Sequence, residues 1–183
     1  MRTPLLSCLL LLLAGQAQAH RLDEYLQTIR VALSTNRIDL SADLTPGVAI
    51  AGELLATLDQ DRDGVLSAAE QRDYVHQILR DIRVVVDNKR TVLQVGSSTF
   101  PSVADMKAGL GVIRLKAHAA TQVTSVGRHT LTVTNAHLPG ISVYLINALV
   151  PKDAAIQIRK QTRDELQRDY RLDFEVSPAR KGN

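Results

Sequence analysis

Between Tyr25 and Val176 the apolar residues follow two different periods. Tyr25 to Leu33 is rich in Ile, Val and Leu, with Thr28 and Arg30 between them. Arg37 to Leu44 sets Ile38, Leu40, Ala42 and Leu44 against Asp39, Ser41 and Asp43. A period of two predicts half-buried strands. Ser34-Thr35-Asn36 joins the two as a hairpin turn, and Thr45-Pro46-Gly47 closes the second. The period then becomes helical. Ala51, Leu54, Leu55 and Leu58 share one face of a helix over Val48 to Leu58. Tyr74, Val75, Ile78 and Leu79 share one face of a second helix over Ser67 to Arg80. Strand periodicity resumes at Ile82 to Val86, followed by a turn at Asp87 to Arg90 and a strand at Thr91 to Val95. Gly96 to Gly111 reads as a connector with one helical turn at Val103 to Ala108. Further strands are predicted at Val112 to Ala117, Thr130 to Thr134, Ile156 to Ile158 and Tyr170 to Val176. Ile141 to Val150 is a long apolar run, predicted as a strand buried on both faces.

Short strands separated by turn signals predict a mainly β chain with an α insertion, built as an antiparallel β-sandwich. Residues 20–47 and 82–176 form the sandwich. Residues 48–81 are inserted between its second and third strands as a local addition, and 177–183 form a flexible polar tail.

The first nineteen residues change the compositional picture. Arg2 supplies a positive start, Leu5 to Ala14 an apolar run, and Ala17-Gln18-Ala19 a small-x-small cleavage site. That order predicts a secretory signal peptide, 1–19, cut before His20. The run falls short of the roughly 20 residues a bilayer span needs. The mature chain is therefore expected in the periplasm or outside the cell, with no membrane span. Cleavage removes Cys8, the only cysteine, so disulfides and thiolate chemistry are excluded. A net charge of +3 over 183 residues, without a basic run interleaved with aromatics, argues against nucleic acid.

Candidate chemistry lies between the two helices. Residues 59–70 read Asp-Gln-Asp-Arg-Asp-Gly-Val-Leu-Ser-Ala-Ala-Glu. Calcium is a hard cation that takes six to eight oxygens. Asp59, Asp61 and Asp63 alternate so as to offer three carboxylates. Gly64 permits a sharp turn, the Val65 carbonyl and Ser67 add oxygens, and Glu70 can bind through both of its own. This segment resembles the EF-hand calcium loop at every diagnostic position, over about residues 48–82. The resemblance implies a Ca2+ site formed by Asp59, Asp61, Asp63, Val65, Ser67 and Glu70, with Leu66 packed beneath the loop. Ser67 and Glu70 are also spaced as a helix capping box, which needs no metal.

EF-hands usually pair, and the sequence offers no second loop. A solitary loop in an exported chain suits a structural rivet or a weak extracellular site, and a protein partner not identified by the sequence. No Gly-x-Ser-x-Gly or His-Glu-x-x-His occurs, so the expected role is non-enzymatic. An alternative is a periplasmic copper or nickel binder, in which the α-amine and imidazole of His20 chelate the metal. His118 and His129 would then be cross-strand neighbours in one hairpin. His137, near Asn135, is expected in a turn. The segments around His20 to Gln27 and Ile141 to Leu145 resemble exported head domains of bacterial permeases of the nickel/hydrogenase-accessory type. The chain carries no permease helices, so transport does not follow.

Overall fold

The computed structural model describes residues 23–121, 123 and 125–178. The segment 1–19 expected to be a signal peptide, His20 and most of the expected C-terminal tail lie outside the described residues.

Two five-stranded sheets face each other. Strands β1 (Tyr25–Leu33) and β2 (Arg37–Pro46) form the expected hairpin, with Ser34 N–H bonded to the Arg37 carbonyl at 2.9 Å. Period-two patterning turns Ile29, Val31, Ile38 and Leu44 inward, where each is fully buried. The first sheet runs β5 (Gln94–Thr99), β6 (Ile113–Ala120), β2, β1, β8 (Ser142–Ala148). The second runs β4 (Lys89–Thr91), β3 (Ile82–Val86), β7 (Gly127–Asn135), β10 (Asp169–Val176), β9 (Ile156–Arg163). All of these pairings are antiparallel except β1 with β8, which is parallel.

Three sequence expectations need correction. The strand expected at Thr91 to Val95 is split: β4 ends at Thr91 in one sheet and β5 begins at Gln94 in the other, with Val92 exposed at the corner. The connector expected from Gly96 continues β5 as far as Thr99. That edge strand is almost wholly exposed, so it carries no apolar alternation to reveal it. The run from Ile141 is not buried on both faces. Its strand, β8, is the margin of its sheet, and Val143 and Leu145 point outward, 38% and 36% exposed.

The helical segment lies between β2 and β3, as expected. Helix α1 (Ala51–Leu58) begins later than Val48, after a turn in which the Gly47 carbonyl takes the N–H groups of both Ile50 and Ala51. Helix α2 (Ala68–Asp81) passes into β3 without a linker, since Ile82 already has extended backbone. A third helix, α3 (Val103–Lys107), is one short turn that buries Met106 completely. Leu54, Leu55 and Leu58 of α1 and Tyr74, Val75 and Ile78 of α2 belong to the same apolar cluster as Ile29, Val84, Leu131 and Phe174 of the sheets. The helices complete the sandwich core instead of sitting beside it. Among the described residues no helix is long and apolar enough to cross a membrane.

Candidate metal centre

The loop leaving α1 begins at Asp59, which is the helix C-cap and donates its N–H to the Leu55 carbonyl at 2.8 Å. Arg62 (φ 60°) and Gly64 (φ 82°) reverse the chain. A Cβ at Gly64 would touch nothing, so glycine is favoured there by its backbone conformation alone. Three carboxylates order the turn from inside. Asp59 Oδ2 accepts from Gly64 N at 3.1 Å, Asp61 Oδ1 from Asp63 N at 3.2 Å, and Asp63 Oδ1 from Val65 N at 2.7 Å. Each thus offers oxygens toward the same small volume, with ligand atoms within 4.8 Å of one another, a spacing able to hold a cation. Asp61 and Asp63 are exposed, whereas Asp59 is only 9% exposed. Its Oδ1 is buried with no hydrogen-bond partner. A buried carboxylate oxygen left alone is costly, and a cation would supply the missing partner.

Glu70 is arranged differently. Its Oε1 accepts from Gln60 N at 2.6 Å, and its Oε2 from Ser67 N and Ser67 Oγ, each at 2.8 Å. Ser67 Oγ accepts in turn from Glu70 N at 3.3 Å, completing a capping box at the start of α2. Bonds from the Ser67 hydroxyl, from Ser67 N–H and from Gln60 N–H hold the Glu70 carboxyl below the usual range. The structure therefore gathers Asp59, Asp61 and Asp63, and pairs Ser67 with Glu70 on the helix side. The Val65 side chain is exposed, while Leu66 enters the core as expected.

A second polar centre, not apparent from the sequence, sits at the far end of α2. His137 follows β7 and is completely buried. Its Nδ1 lies 2.7 Å from Asp81 Oδ2, and its Nε2 lies 3.0 Å from Tyr74 Oη, itself 2.9 Å from Tyr25 Oη. A carboxylate only accepts, so Nδ1 carries the proton and Nε2 accepts from the Tyr74 hydroxyl. That hydroxyl in turn accepts from Tyr25. Burial pushes the His137 imidazole below its ordinary pKa, against the opposing pull of Asp81. Burial also raises the hydroxyls of Tyr25 and Tyr74. The His137 carbonyl accepts from Gln27 Nε2, Ser142 Oγ and Tyr144 Oη. Asn135 ties this corner together, accepting from His137 N–H and donating to Gln27 Oε1. The turn expected at His137 is thus a buried junction between α2, β1 and β8. Its only signal in the sequence is a set of polar side chains at positions the pattern makes apolar.

Among the described residues the other histidines do not assemble into a site. His118 lies in β6 opposite Asp39, in the first sheet, and His129 in β7, in the second, so they are not cross-strand neighbours. The ring nitrogens of His129 face Asp87 Oδ2 at 2.6 Å and the Ser125 carbonyl at 2.8 Å. No protein-family model, curated protein or solved structure matches the chain.

Proposed function

We propose that the chain is an exported calcium-binding module: a β-sandwich whose core is completed by one EF-hand type unit, with the ion held in the 59–70 loop. The unpartnered, buried Oδ1 of Asp59 carries this reading. Asp59, Asp61 and Asp63 would supply carboxylate oxygens, and Val65 a backbone carbonyl. Ser67 and Glu70 would complete the shell: Glu70 Oε1 keeps a lone pair beyond its bond from Gln60 N–H, while Oε2, which already accepts twice from Ser67, would bind only by giving up one of those bonds. The donor set is entirely oxygen, which suits Ca2+ and disfavours softer transition metals. A solitary loop of this kind belongs with extracellular modules, which bind at about 10⁻⁴–10⁻³ M.

The role that follows is structural. Both ends of α2 are fixed, by the capping box and by His137, so the ion would tighten the helical unit against the sheets and leave no lever free to swing. Calcium titration of the mature chain, followed by thermal melting, tests the proposal. Wild type gains stability with calcium and Asp59→Ala does not. Equal melts with calcium and with chelator would overturn it.

A further inference from the structure

On the outer face of the second sheet, strands β7, β10 and β9 enclose a cleft of about 580 Å³. Consecutive strand residues normally point to opposite faces. Here a bulge intervenes: Asp173 pairs with Lys160 and Phe174 with Ile158, so Arg159 has no partner of its own. Arg159 and Lys160 consequently both line the cleft, joined by Arg128 from β7 and Arg171 from β10. Two carboxylates lie among these four cations. Glu175 Oε2 receives Arg159 Nε at 3.0 Å, and Asp173 Oδ1 receives Arg171 Nε at 3.0 Å. Each fixes one guanidinium and leaves part of its fork of N–H donors unused. No described residue forms an ion pair with Arg128 or Lys160. The Thr130 hydroxyl accepts from Arg171 Nη2 and donates to Asp173 Oδ1, and so helps to orient the Arg171 guanidinium. The floor is firm: Phe174 is buried and stacks on His129, whose ring is held between a carboxylate and a carbonyl.

We propose that this cleft binds a phosphoryl group, either of a soluble phosphate ester or of a phospholipid headgroup. Planar guanidinium forks and an ammonium, brought together from three strands, match the tetrahedral oxygens of such an anion. Two carboxylates among four cations leave a positive excess for the ligand. The cleft shares no residue with the 59–70 loop, so it is tested independently of calcium.

The experiment uses the mature chain, isotopically labelled, titrated with inorganic phosphate and with glycerol phosphate while ionic strength is held constant with chloride. In parallel it is sedimented with vesicles of phosphatidylglycerol or of phosphatidylcholine. Saturable shifts confined to residues around Arg128, Thr130, Lys160 and Arg171 are expected. The double variant Arg128→Gln/Lys160→Gln should weaken binding by about tenfold or more, the loss of two charge-assisted contacts. Arg90→Gln, a cation of the same sheet outside the cleft, should leave it unchanged. Binding to soluble phosphates without sedimentation assigns a soluble ester, and sedimentation with phosphatidylglycerol vesicles a headgroup. Absence of both overturns the proposal, as does an equal loss in Arg90→Gln, which would reduce it to general charge. All three cations are exposed, and matching melts of the variants confirm that folding is intact.

Discussion

His137 Nδ1 lies 2.7 Å from Asp81 Oδ2, joining the corner after β7 to the last residue of α2. The same backbone junction is stitched by Ala136 N–H on the Asp81 carbonyl at 3.0 Å. Because the imidazole is completely buried and neutral in this arrangement, its protonation is penalised in the folded chain. The unfolded chain binds that proton first, near pH 6.5. The His137 contribution to stability is therefore fully present above about pH 6.5 and declines as pH falls below it. Denaturant titrations at neutral and mildly acid pH measure this. A folding free energy flat across that window would contradict it.

His129 carries the opposite sign. Burial alone would lower its pKa, but the Asp87 carboxylate and the Ser125 carbonyl outweigh that and raise it. A raised folded value stabilises fully below about pH 6.5 and is lost as pH rises through the folded pKa. His129→Gln should abolish that alkaline loss and leave the acid side unchanged, as seen by the same titrations.

Tyr74 is the middle of the buried hydroxyl chain and Tyr25 its end. Tyr74→Phe leaves both His137 Nε2 and the Tyr25 hydroxyl without a partner, at about 1–3 kcal/mol for each buried group. Tyr25→Phe leaves the Tyr74 hydroxyl still donating to His137 and should cost clearly less. Equal losses in the two variants would show that the chain is not directional.

Calcium should stabilise the fold through the 59–70 loop. With a dissociation constant of about 10⁻⁴ M, about 1 mM calcium adds roughly 1.4 kcal/mol, or roughly 3–6 °C in melting temperature. Glu70→Gln should lose most of that gain. It should also lose stability in chelator, because an amide nitrogen cannot accept the N–H bonds that Ser67 and Gln60 now donate to the carboxylate. An expectation drawn only from repulsion among the loop's carboxylates would have the empty loop tolerate the change. Melts in calcium and in chelator separate the two effects.

Replacing residues 48–80 with a short linker should leave the sheets unable to fold alone. Leu54, Leu55, Leu58, Tyr74, Val75 and Ile78 are all buried in the common core. Burial of each large side chain is worth about 1.5–3 kcal/mol, so the six together are comparable to a typical domain stability of about 5–15 kcal/mol. A cooperative melt of the shortened chain would refute this.

The sequence alone determined the elements whose pattern is local. Alternation in Arg37–Leu44, and richness in Ile, Val and Leu in Tyr25–Leu33 and Ile82–Val86, marked strands. The change of period at Pro46 marked the helices. The spacing of Asp59, Asp61, Asp63 and Gly64 marked the loop because its turn and its carboxylate bonds are made within a few residues. Only the tertiary structure decided what depends on neighbours distant in the chain. Val143 and Leu145 are exposed because β8 lies at a sheet margin, which no local pattern encodes. Gln94 to Thr99 is a strand by pairing with β6 and by nothing in its own composition. The bond from Asp81 to His137 spans 56 residues and that from Tyr25 to Tyr74 spans 49. A buried polar group must find a partner, but the sequence records only that one is needed, and the packing of α2 between β1 and the corner after β7 selects which.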